Sequence, residues 1–360
     1  MVNARKFEKV VVTDPIILFL DQWSTLRQHA REIVNARGQA TIQDLYQQAE
    51  DEKAPICWTQ AAARPLEGSE LEDAIKDADA VISCWTTIHD DALRNARNLE
   101  YVGYWTNLAA HRVNLPLAKE LGITVTYVPD YGTYAVSSMA LTGILAVLRN
   151  LPREIRNTER GSWHFELLKT AQRVPLRKED IPQDDLYAKK VGIVGFGPIG
   201  EQFSRLVRPY DADVRYFSRK RRSRGQEEAL GVRFAGLEEI FADSDIVSVH
   251  LSPYAVHEDH PDRPYIDADL LSRLRPGAIF SNTSAGNLVD QEALMRLLRD
   301  DVVRAYLDVY DGLPPRKELA ALSARGNVFT YRAGWFTKGA VEIKGRKFLS
   351  NIDEYLCREP

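Results

Sequence analysis

The residues of this chain with the clearest chemical meaning are three glycines near its middle. Gly195, Gly197 and Gly200 form a Gly-x-Gly-x-x-Gly pattern, which follows a short apolar strand made by Val191, Ile193 and Val194 and precedes a predicted helix at 201–207. In this context the first glycine permits a tight turn, the second lets a pyrophosphate approach the backbone, and the third lets the helix pack on the strand. We therefore predict that the turn and helix N-terminus bind a dinucleotide through Gly195, Phe196, Gly197, Pro198, Ile199 and Gly200.

The residues after the next predicted strand, 214–217, indicate which dinucleotide is bound. A domain specific for NAD usually has Asp or Glu here, bonded to the ribose hydroxyls. This chain instead has Ser218, Arg219 and Lys220, followed by two more arginines. Without a carboxylate nothing repels a 2′-phosphate, and Arg219 and its neighbours supply charge-assisted donors. We predict a preference for NADP(H), with NAD(H) possible; a solvated basic loop is the alternative.

Predicted strands and helices alternate along the chain, which is the pattern of a parallel α/β sheet. Before the glycines the predicted strands are 10–13, 80–83, 101–104 and 123–128, and the predicted helices are 26–36, 71–77, 115–121 and 134–151. After them the predicted strands are 214–217, 246–251, 278–282, 303–309 and 328–331, and the predicted helices are 237–242, 270–274, 291–299 and 338–356. Helix 134–151 is apolar nearly all round, so we expect it to be buried between domains or at a subunit contact.

Length and composition limit the possible classes of protein. A chain of 360 residues suggests two domains. Its net charge of −4 gives no general reason to expect nucleic-acid or membrane binding. Cys57, Cys84 and Cys357 lack the spacing of metal ligands, so we expect no metal and a reducing cytoplasm. No long apolar run follows the charged start of the chain, so we expect no signal peptide or membrane span.

From about residue 75 onward the chain resembles the D-2-hydroxyacid dehydrogenase family. The resemblance rests on the glycines and on four further stretches, 245–251, 274–283, 288–294 and 307–309. It implies an α/β fold with two doubly wound parallel-sheet domains, in which a Rossmann cofactor domain (129–332) is inserted into a flavodoxin-like substrate domain (1–128 and 333–360). It also implies a homodimer, a small-molecule substrate, and cofactor contacts at His250, Leu251, Thr283 and Asp308.

The chain departs from this family at the three residues that carry its reaction. Ala285 stands where the family has an arginine, Leu313 where it has a glutamate, and Arg332 where it has a histidine. No histidine follows His260 in the sequence. The usual Arg/Glu/His mechanism is therefore not supported, and the sequence indicates a divergent member of the family with a rebuilt site.

Other residues are candidates for the missing chemistry. Arg332 could bind a carboxylate or stabilise a developing oxyanion, although a structural salt bridge is the alternative. Tyr331 is a candidate acid, because a neighbouring guanidinium lowers a phenol pKa, and His111 is a second candidate. The loop 105–111 lies where the family meets its substrate. The predicted substrate-binding residues are Trp105, Asn107 and Trp335, whose rings indicate a larger or aromatic substrate unless they only pack in the core.

Three hypotheses about function follow from these residues. The favoured one is an NAD(P)-dependent oxidoreductase that uses NADPH to reduce a carbonyl, imine or activated alkene. The second is a dinucleotide-bound enzyme without net redox chemistry, of the lyase or dehydratase type. The third is a non-catalytic, dehydrogenase-like partner protein. The glycine turn favours the first two, and the loss of the family's three residues keeps the third open.

Overall fold

The structure, a computed structural model, describes residues 5–14, 16, 18–35, 66–107, 109–161, 183–256 and 262–357. Contacts within the chain divide it into two compact units. The first unit comprises Met1–Tyr131 and Lys338–Pro360, and the second comprises Gly132–Thr337.

The first unit is built on a five-stranded sheet whose strands are all parallel. Its strands are β1 (Phe7–Val12), β2 (Ala30–Asn35), β3 (Ala80–Ser83), β4 (Tyr101–Tyr104) and β5 (Thr124–Tyr127). Its helices are α1 (Leu20–Gln28), α2 (Gly68–Ile75), α3 (Asp90–Asn95), α4 (Leu115–Glu120) and α13 (Lys338–Leu356). The strand order β2-β1-β3-β4-β5 is that of flavodoxin-like folds, which confirms the predicted fold class of this unit.

The central strands of this sheet are buried on both faces. Every residue of β3 and β4 is buried, as are Val10, Val11 and Val12 of β1. Such continuous apolar strands are typical of parallel sheets that helices cover on both sides. Isoleucine, leucine and alanine side chains of α2, α3 and α4 fill one of the resulting cores.

The prediction of a helix at 26–36 is wrong. Helix α1 ends at Gln28, and the residues after it form β2, the edge strand beside β1. Val10 of β1 pairs with Ile33 of β2 in a parallel register. Charged residues interrupt the apolar ones in β2, so its pattern resembles an amphipathic helix, but pairing with β1 decides the outcome.

The second unit contains a seven-stranded sheet, again with all strands parallel. Its strands are β6 (Lys190–Val194), β7 (Asp213–Phe217), β8 (Val232–Phe234), β9 (Ile246–Val249), β10 (Ile279–Asn282), β11 (Arg304–Leu307) and β12 (Val328–Phe329). The order β12-β11-β10-β9-β6-β7-β8 is the Rossmann order with one added strand. The sheet therefore confirms the predicted dinucleotide-binding architecture.

Helices surround this second sheet. They are α5 (Thr133–Leu148), α6 (Leu151–Glu159), α7 (Pro198–Val207), α8 (Arg224–Leu230), α9 (Leu237–Asp243), α10 (Ala268–Leu271), α11 (Gln291–Arg299) and α12 (Arg316–Ala324). Helix α5 packs on β10, β11 and α7, and the absence of a side chain at Gly143 lets the ring of Tyr306 lie directly against it.

The single apolar helix predicted at 134–151 is two helices in the structure. Asn150 lies between them with a φ of 49°, a left-handed conformation that ends α5. Pro152 then lies in the first turn of α6, where its missing N–H is tolerated. Among the described residues, no single helix is long and apolar enough to cross a membrane. Helices α5 and α6 reach those limits only when joined across their 61° bend.

Candidate functional site

The glycine turn joins β6 to α7 at the carboxyl edge of the seven-stranded sheet. Gly195 has a φ of 94°, and a Cβ atom there would lie 2.6 Å from the carbonyl oxygen of His250. A Cβ at Gly200 would overlap the carbonyl oxygen of Gly195. At Gly197, which immediately precedes α7, a Cβ would meet nothing within 4 Å. The first and third glycines are thus required by the fold, whereas the space beside the second is open to a ligand.

The position of this turn in the sheet also fits ligand binding. Strand β6 lies between β7 and β9, so the direction in which the sheet grows reverses there. Open α/β sheets bind ligands outside the carboxyl ends of the strands at such a switch point. His250 follows β9 and Thr283 follows β10, which brings both predicted contact residues to this edge. Leu251, the next residue after His250, packs partly buried against the core.

Several buried polar atoms in β9, β10 and the residues after them have no hydrogen-bond partner among the described residues. They are Nδ1 of His250, Oγ of Ser281 and Oγ1 of Thr283. Buried polar atoms are normally hydrogen-bonded, so unpaired ones at the end of the sheet that carries the glycine turn fit a site that receives a polar ligand. The residues present therefore suit a dinucleotide: the turn would hold its pyrophosphate, and His250 and Thr283 would contact its other groups.

His250 itself is not suited to proton transfer. Burial lowers the pKa of its imidazole to about 3, so the ring is neutral at physiological pH. Its Nε2 lies 2.9 Å from Oγ of Ser248, and its ring packs against Phe203. These contacts support a role in shaping the site.

The basic segment after β7 contains two kinds of side chain. Arg221 forms two 2.9 Å bonds to the carboxylate of Glu227, and Arg222 donates to the carbonyl oxygen of Phe196 at 2.8 Å. Phe196 in turn stacks on Tyr216 with ring centroids 4.1 Å apart. Arg219 and Lys220 are exposed, and no hydrogen bond or ion pair joins either side chain to the described residues. Two basic groups thus hold the loop in place, and two point to solvent.

Ser218 completes this segment at the end of β7. Its hydroxyl donates to the carbonyl oxygen of Lys220 at 2.7 Å, which closes a short turn. None of the three residues that directly follow β7 carries a carboxylate; they are Ser218, Arg219 and Lys220.

Asp308, which follows β11, organises the loop after β12. It is 3% exposed, and its carboxylate accepts hydrogen bonds from the Thr330 hydroxyl and from the backbone N–H groups of Ala333 and Gly334. Its carbonyl oxygen also accepts from the N–H of Arg332 at 2.8 Å. Asp308 therefore fixes the turn that carries Tyr331 and Arg332. From the sequence, only a cofactor contact was predicted for this residue.

Replacing Asp308 with alanine is expected to lower the free energy of unfolding by about 2–4 kcal/mol, because the buried N–H of Gly334 and the part-buried N–H of Ala333 would lose their acceptor. Urea unfolding measures the change. Asp311→Ala is the matched control, because Asp311 is exposed and its side chain makes no bond to the described residues. Equal stability of the two variants would contradict this role for Asp308.

The structure brings Arg332 and Tyr331 together on that turn. Arg332 has a φ of 51°, and its Cζ lies 5.6 Å from the centroid of the Tyr331 ring. Tyr331, which is 54% exposed, stacks on Tyr310 with centroids 6.3 Å apart. Trp335 lies three residues after Arg332, half-buried, with its ring edge-on to Phe336. An accessible guanidinium beside an accessible phenol can bind an anion and exchange a proton.

The two positions at which the resemblance places the family's other reacting residues carry no charge. Ala285 is half-buried against the core beside β10, and Leu313 is 62% exposed on the loop before α12. Neither side chain can bind a carboxylate or polarise a histidine.

The remaining predicted residues belong to the first unit. Asn107 and His111 are exposed, and His111 lies in a short 3₁₀ turn, Ala109–His111. Trp105 is only 1% exposed, so its ring lies in the core of this unit. The ring contacts the Lys344 ammonium, whose Nζ is 3.3 Å from its centroid.

Sequence reasoning missed two buried charged residues in this unit. Asp14 follows β1 and is 1% exposed; its Oδ2 accepts from the Ser83 hydroxyl and from three consecutive N–H groups, those of Cys84, Trp85 and Thr86. Lys344 lies on the buried face of α13. In the sequence, an aspartate directly after an apolar strand and a lysine within an apolar stripe were the available signals.

No group of three or more His, Cys, Asp or Glu side chains is arranged to hold a metal ion within the described residues. The sequence His257-Glu258-Asp259-His260, whose residue types could bind a metal although its neighbouring prolines favour an exposed loop as the interpretation, lies outside them.

Comparisons with known proteins agree with this architecture. The family model "D-isomer specific 2-hydroxyacid dehydrogenase, NAD binding domain" matches residues 141–331. A glyoxylate reductase of Thermococcus kodakarensis is 30% identical over 281 residues, 78% of this chain and 80% of that protein. Another, from Pyrococcus furiosus, is 29% identical over 74% of this chain and 75% of that protein. An acyclic imino acid reductase solved with NADPH and D-Arg superposes with a TM-score of 0.71 at 20% identity, covering 98% of each chain.

The glycine turn, the Rossmann strand order and a family match over more than half of the chain point to the same conclusion. The chain belongs to the D-2-hydroxyacid dehydrogenase family of NAD(P)-dependent oxidoreductases.

Proposed function

We propose that this protein is an oxidoreductase that prefers NADPH and reduces a carbonyl, an imine or an activated alkene. One observation carries the proposal: after β7 the chain has Arg219 and Lys220, exposed and free of ion pairs with the described residues, where NAD-specific domains place a carboxylate. A 2′-phosphate is a dianionic acceptor of the kind that a guanidinium binds through paired hydrogen bonds.

The reactive groups would come from a rebuilt site. A bound nicotinamide supplies the hydride, so the protein must bind the substrate and provide charge and a proton. Arg332 would bind a substrate carboxylate or stabilise an oxyanion. It is a poor acid, because a guanidinium group does not release its proton in proteins. Tyr331, whose ring lies beside that guanidinium, is the proposed proton donor, and His111 is the alternative.

Asn107, Trp105 and Trp335 are proposed to shape the substrate site. Asn107 offers an exposed amide, whereas the buried ring of Trp105 would act by supporting its loop. Imines belong among the candidate substrates, because the imino acid reductase noted above binds NADPH and D-Arg. A carboxylate-bearing imine would give Arg332 a natural partner.

We further propose that the chain forms a homodimer in the cytoplasm. Tyr134, near the start of α5, and Leu151 and Ile155 of α6 expose 67%, 46% and 50% of their surface, and subunit contacts commonly cover exposed large apolar side chains. Cys84 and Cys357 are free thiols, which suits a reducing compartment.

The test is NADPH oxidation against a panel of carbonyl, imine and alkene substrates. With a substrate in hand, Arg332→Ala is expected to lower kcat/KM by about 10²-fold or more while NADPH affinity stays unchanged. Arg316→Ala is the control, because Arg316 is another exposed arginine of the same unit.

Full activity of Arg332→Ala would remove that residue from the site. Tight NADPH binding without oxidation on any substrate would overturn the reductase proposal and favour a non-redox enzyme or a partner protein.

A further inference from the structure

Lys344 is a buried lysine in the first unit that the reaction proposed above does not use. Helix α13 carries it on the face that also holds Val341, Gly345 and Phe348, and the residue is 2% exposed. An ammonium group loses its water when it is buried, and proteins rarely accept that cost without specific compensation. The compensation at this position indicates what the lysine does.

Two aromatic rings enclose the amine. Its Nζ lies 3.3 Å from the centroid of Trp105, which follows β4, and 4.1 Å from the centroid of Tyr131, which follows β5. Cation–π attraction is strongest for a desolvated cation over a tryptophan face. A single charge on α13 thus holds rings from two different strand ends.

Both rings belong to the carboxyl edge of the five-stranded sheet. Cys84, after β3, completes the group, and its Sγ lies 3.8 Å from the carbonyl oxygen of Trp105. Trp105 is also the first residue of the loop 105–111, which carries Asn107 and His111. Any force on the indole therefore acts on the base of that loop.

We propose that Lys344 is a positioning residue: its ammonium group clamps Trp105 and Tyr131 and so fixes the loop that presents Asn107 and His111 to the substrate. The amine acts through Trp105, because it is itself enclosed. The link to the substrate rests on the proposed function, whereas the clamp stands on the geometry of the first unit alone.

The clamp should respond to pH near neutrality. Among the described residues, Cys84 and Tyr131 are titratable side chains that act on or contact Lys344. Burial raises the pKa of Cys84 to about 12 and that of Tyr131 well above its usual range, so both keep their protons. The charges of Asp14 and Arg112 also act on Cys84, in opposite directions. Burial lowers the pKa of Lys344 from 10.5 to about 7. Lys344 is thus the group here that loses its proton as the pH rises through neutrality.

The effect on stability has a defined sign. Between pH 7 and 10.5 the unfolded chain keeps the Lys344 proton and the folded chain has lost it, so stability rises with pH in that window. Below pH 7 the folded protein holds a desolvated charge. Lys344→Met removes this burden, and we expect its melting temperature at pH 6 to equal or exceed that of the wild type. A purely structural lysine would give the opposite result.

The direct test is the emission of Trp105, obtained as the wild-type spectrum minus that of Trp105→Phe, followed from pH 6 to 9. We expect a transition with a midpoint near 7 in the wild type, none in Lys344→Met, and none in Lys344→Arg, which stays charged. Lys338→Met, an exposed lysine on the same helix, should behave as the wild type.

The kinetic readout tests the link to substrate. With a substrate of the proposed reaction, KM should rise about 10-fold in Lys344→Met with a smaller change in kcat, and Lys344→Arg should restore most of the affinity. If Trp105 emission changes neither with pH nor in Lys344→Met, the clamp is overturned, whatever the measured enzyme activity. If Trp105 emission shows the expected pH transition but KM is unchanged in Lys344→Met, only the role in substrate binding is overturned. NADPH affinity, which depends on the second unit, reports independently on the proposed function.

Discussion

Gly200→Ala is expected to abolish dinucleotide binding and to lower the free energy of unfolding by about 3 kcal/mol or more. A methyl group there would overlap the carbonyl oxygen of Gly195, and both atoms belong to the backbone of the same tight turn. Neither can move without separating α7 from β6. Urea unfolding and NADPH titration measure the two losses.

Gly197→Ala is the matched variant, and its expected result is different. Its φ of −80° suits any residue, and an added Cβ meets nothing within 4 Å, so stability should stay within about 0.5 kcal/mol of the wild type. The new methyl group would nevertheless occupy the space in which a pyrophosphate approaches the backbone, so affinity should fall about 10-fold or more. Unchanged affinity in Gly197→Ala would mean that the phosphate does not lie at this turn.

The second large effect concerns the choice of cofactor. In the double variant Ser218→Asp, Arg219→Ala, a carboxylate replaces the proposed donors to the 2′-phosphate. We expect NADPH affinity to fall about 10²-fold or more, because charge-assisted bonds worth about 1.5–3 kcal/mol each are lost and repulsion is added. NADH affinity should rise, since the new carboxylate can accept from the ribose hydroxyls.

Arg224→Ala is the control for this experiment. Arg224 is an exposed arginine a few residues away, paired with Glu228 on α8. Its loss should change neither affinity. If the control and the double variant weaken NADPH binding equally, the basic segment acts only through its overall positive charge.

The sequence predicted the two sheets well because parallel strands buried on both faces leave short apolar runs. Strands β3, β4 and β9 were predicted from such runs, and the helix α13 from its periodicity. Edge strands carry a weaker signal: β2 has two consecutive charged residues followed by two apolar ones, as in an amphipathic helix, and β8 has only three residues. Pairing with a neighbour, which no local pattern contains, decides both.

The geometry of the glycine turn was predictable residue by residue because it depends on backbone conformation and on the absence of side chains. The roles of Asp14 and Lys344, the two buried ionisable residues of the first unit, were not predictable, because they depend on which residues these side chains contact. The three backbone amides that bind Asp14 lie about seventy positions further along the chain. Lys344 meets rings more than two hundred positions earlier. Such contacts follow from the assembled sheet and not from local spacing.

The most direct test of this account is a calorimetric titration of the purified protein with NADPH and, separately, with NADH, after any co-purified nucleotide has been removed. We expect tight NADPH binding and NADH binding about 10-fold weaker or more, because the proposed partners of the 2′-phosphate are Arg219 and Lys220 and no carboxylate directly follows β7 to bind the ribose hydroxyls. Tighter binding of NADH would contradict the proposed preference. Binding of neither would contradict the assignment of the glycine turn as a working dinucleotide site.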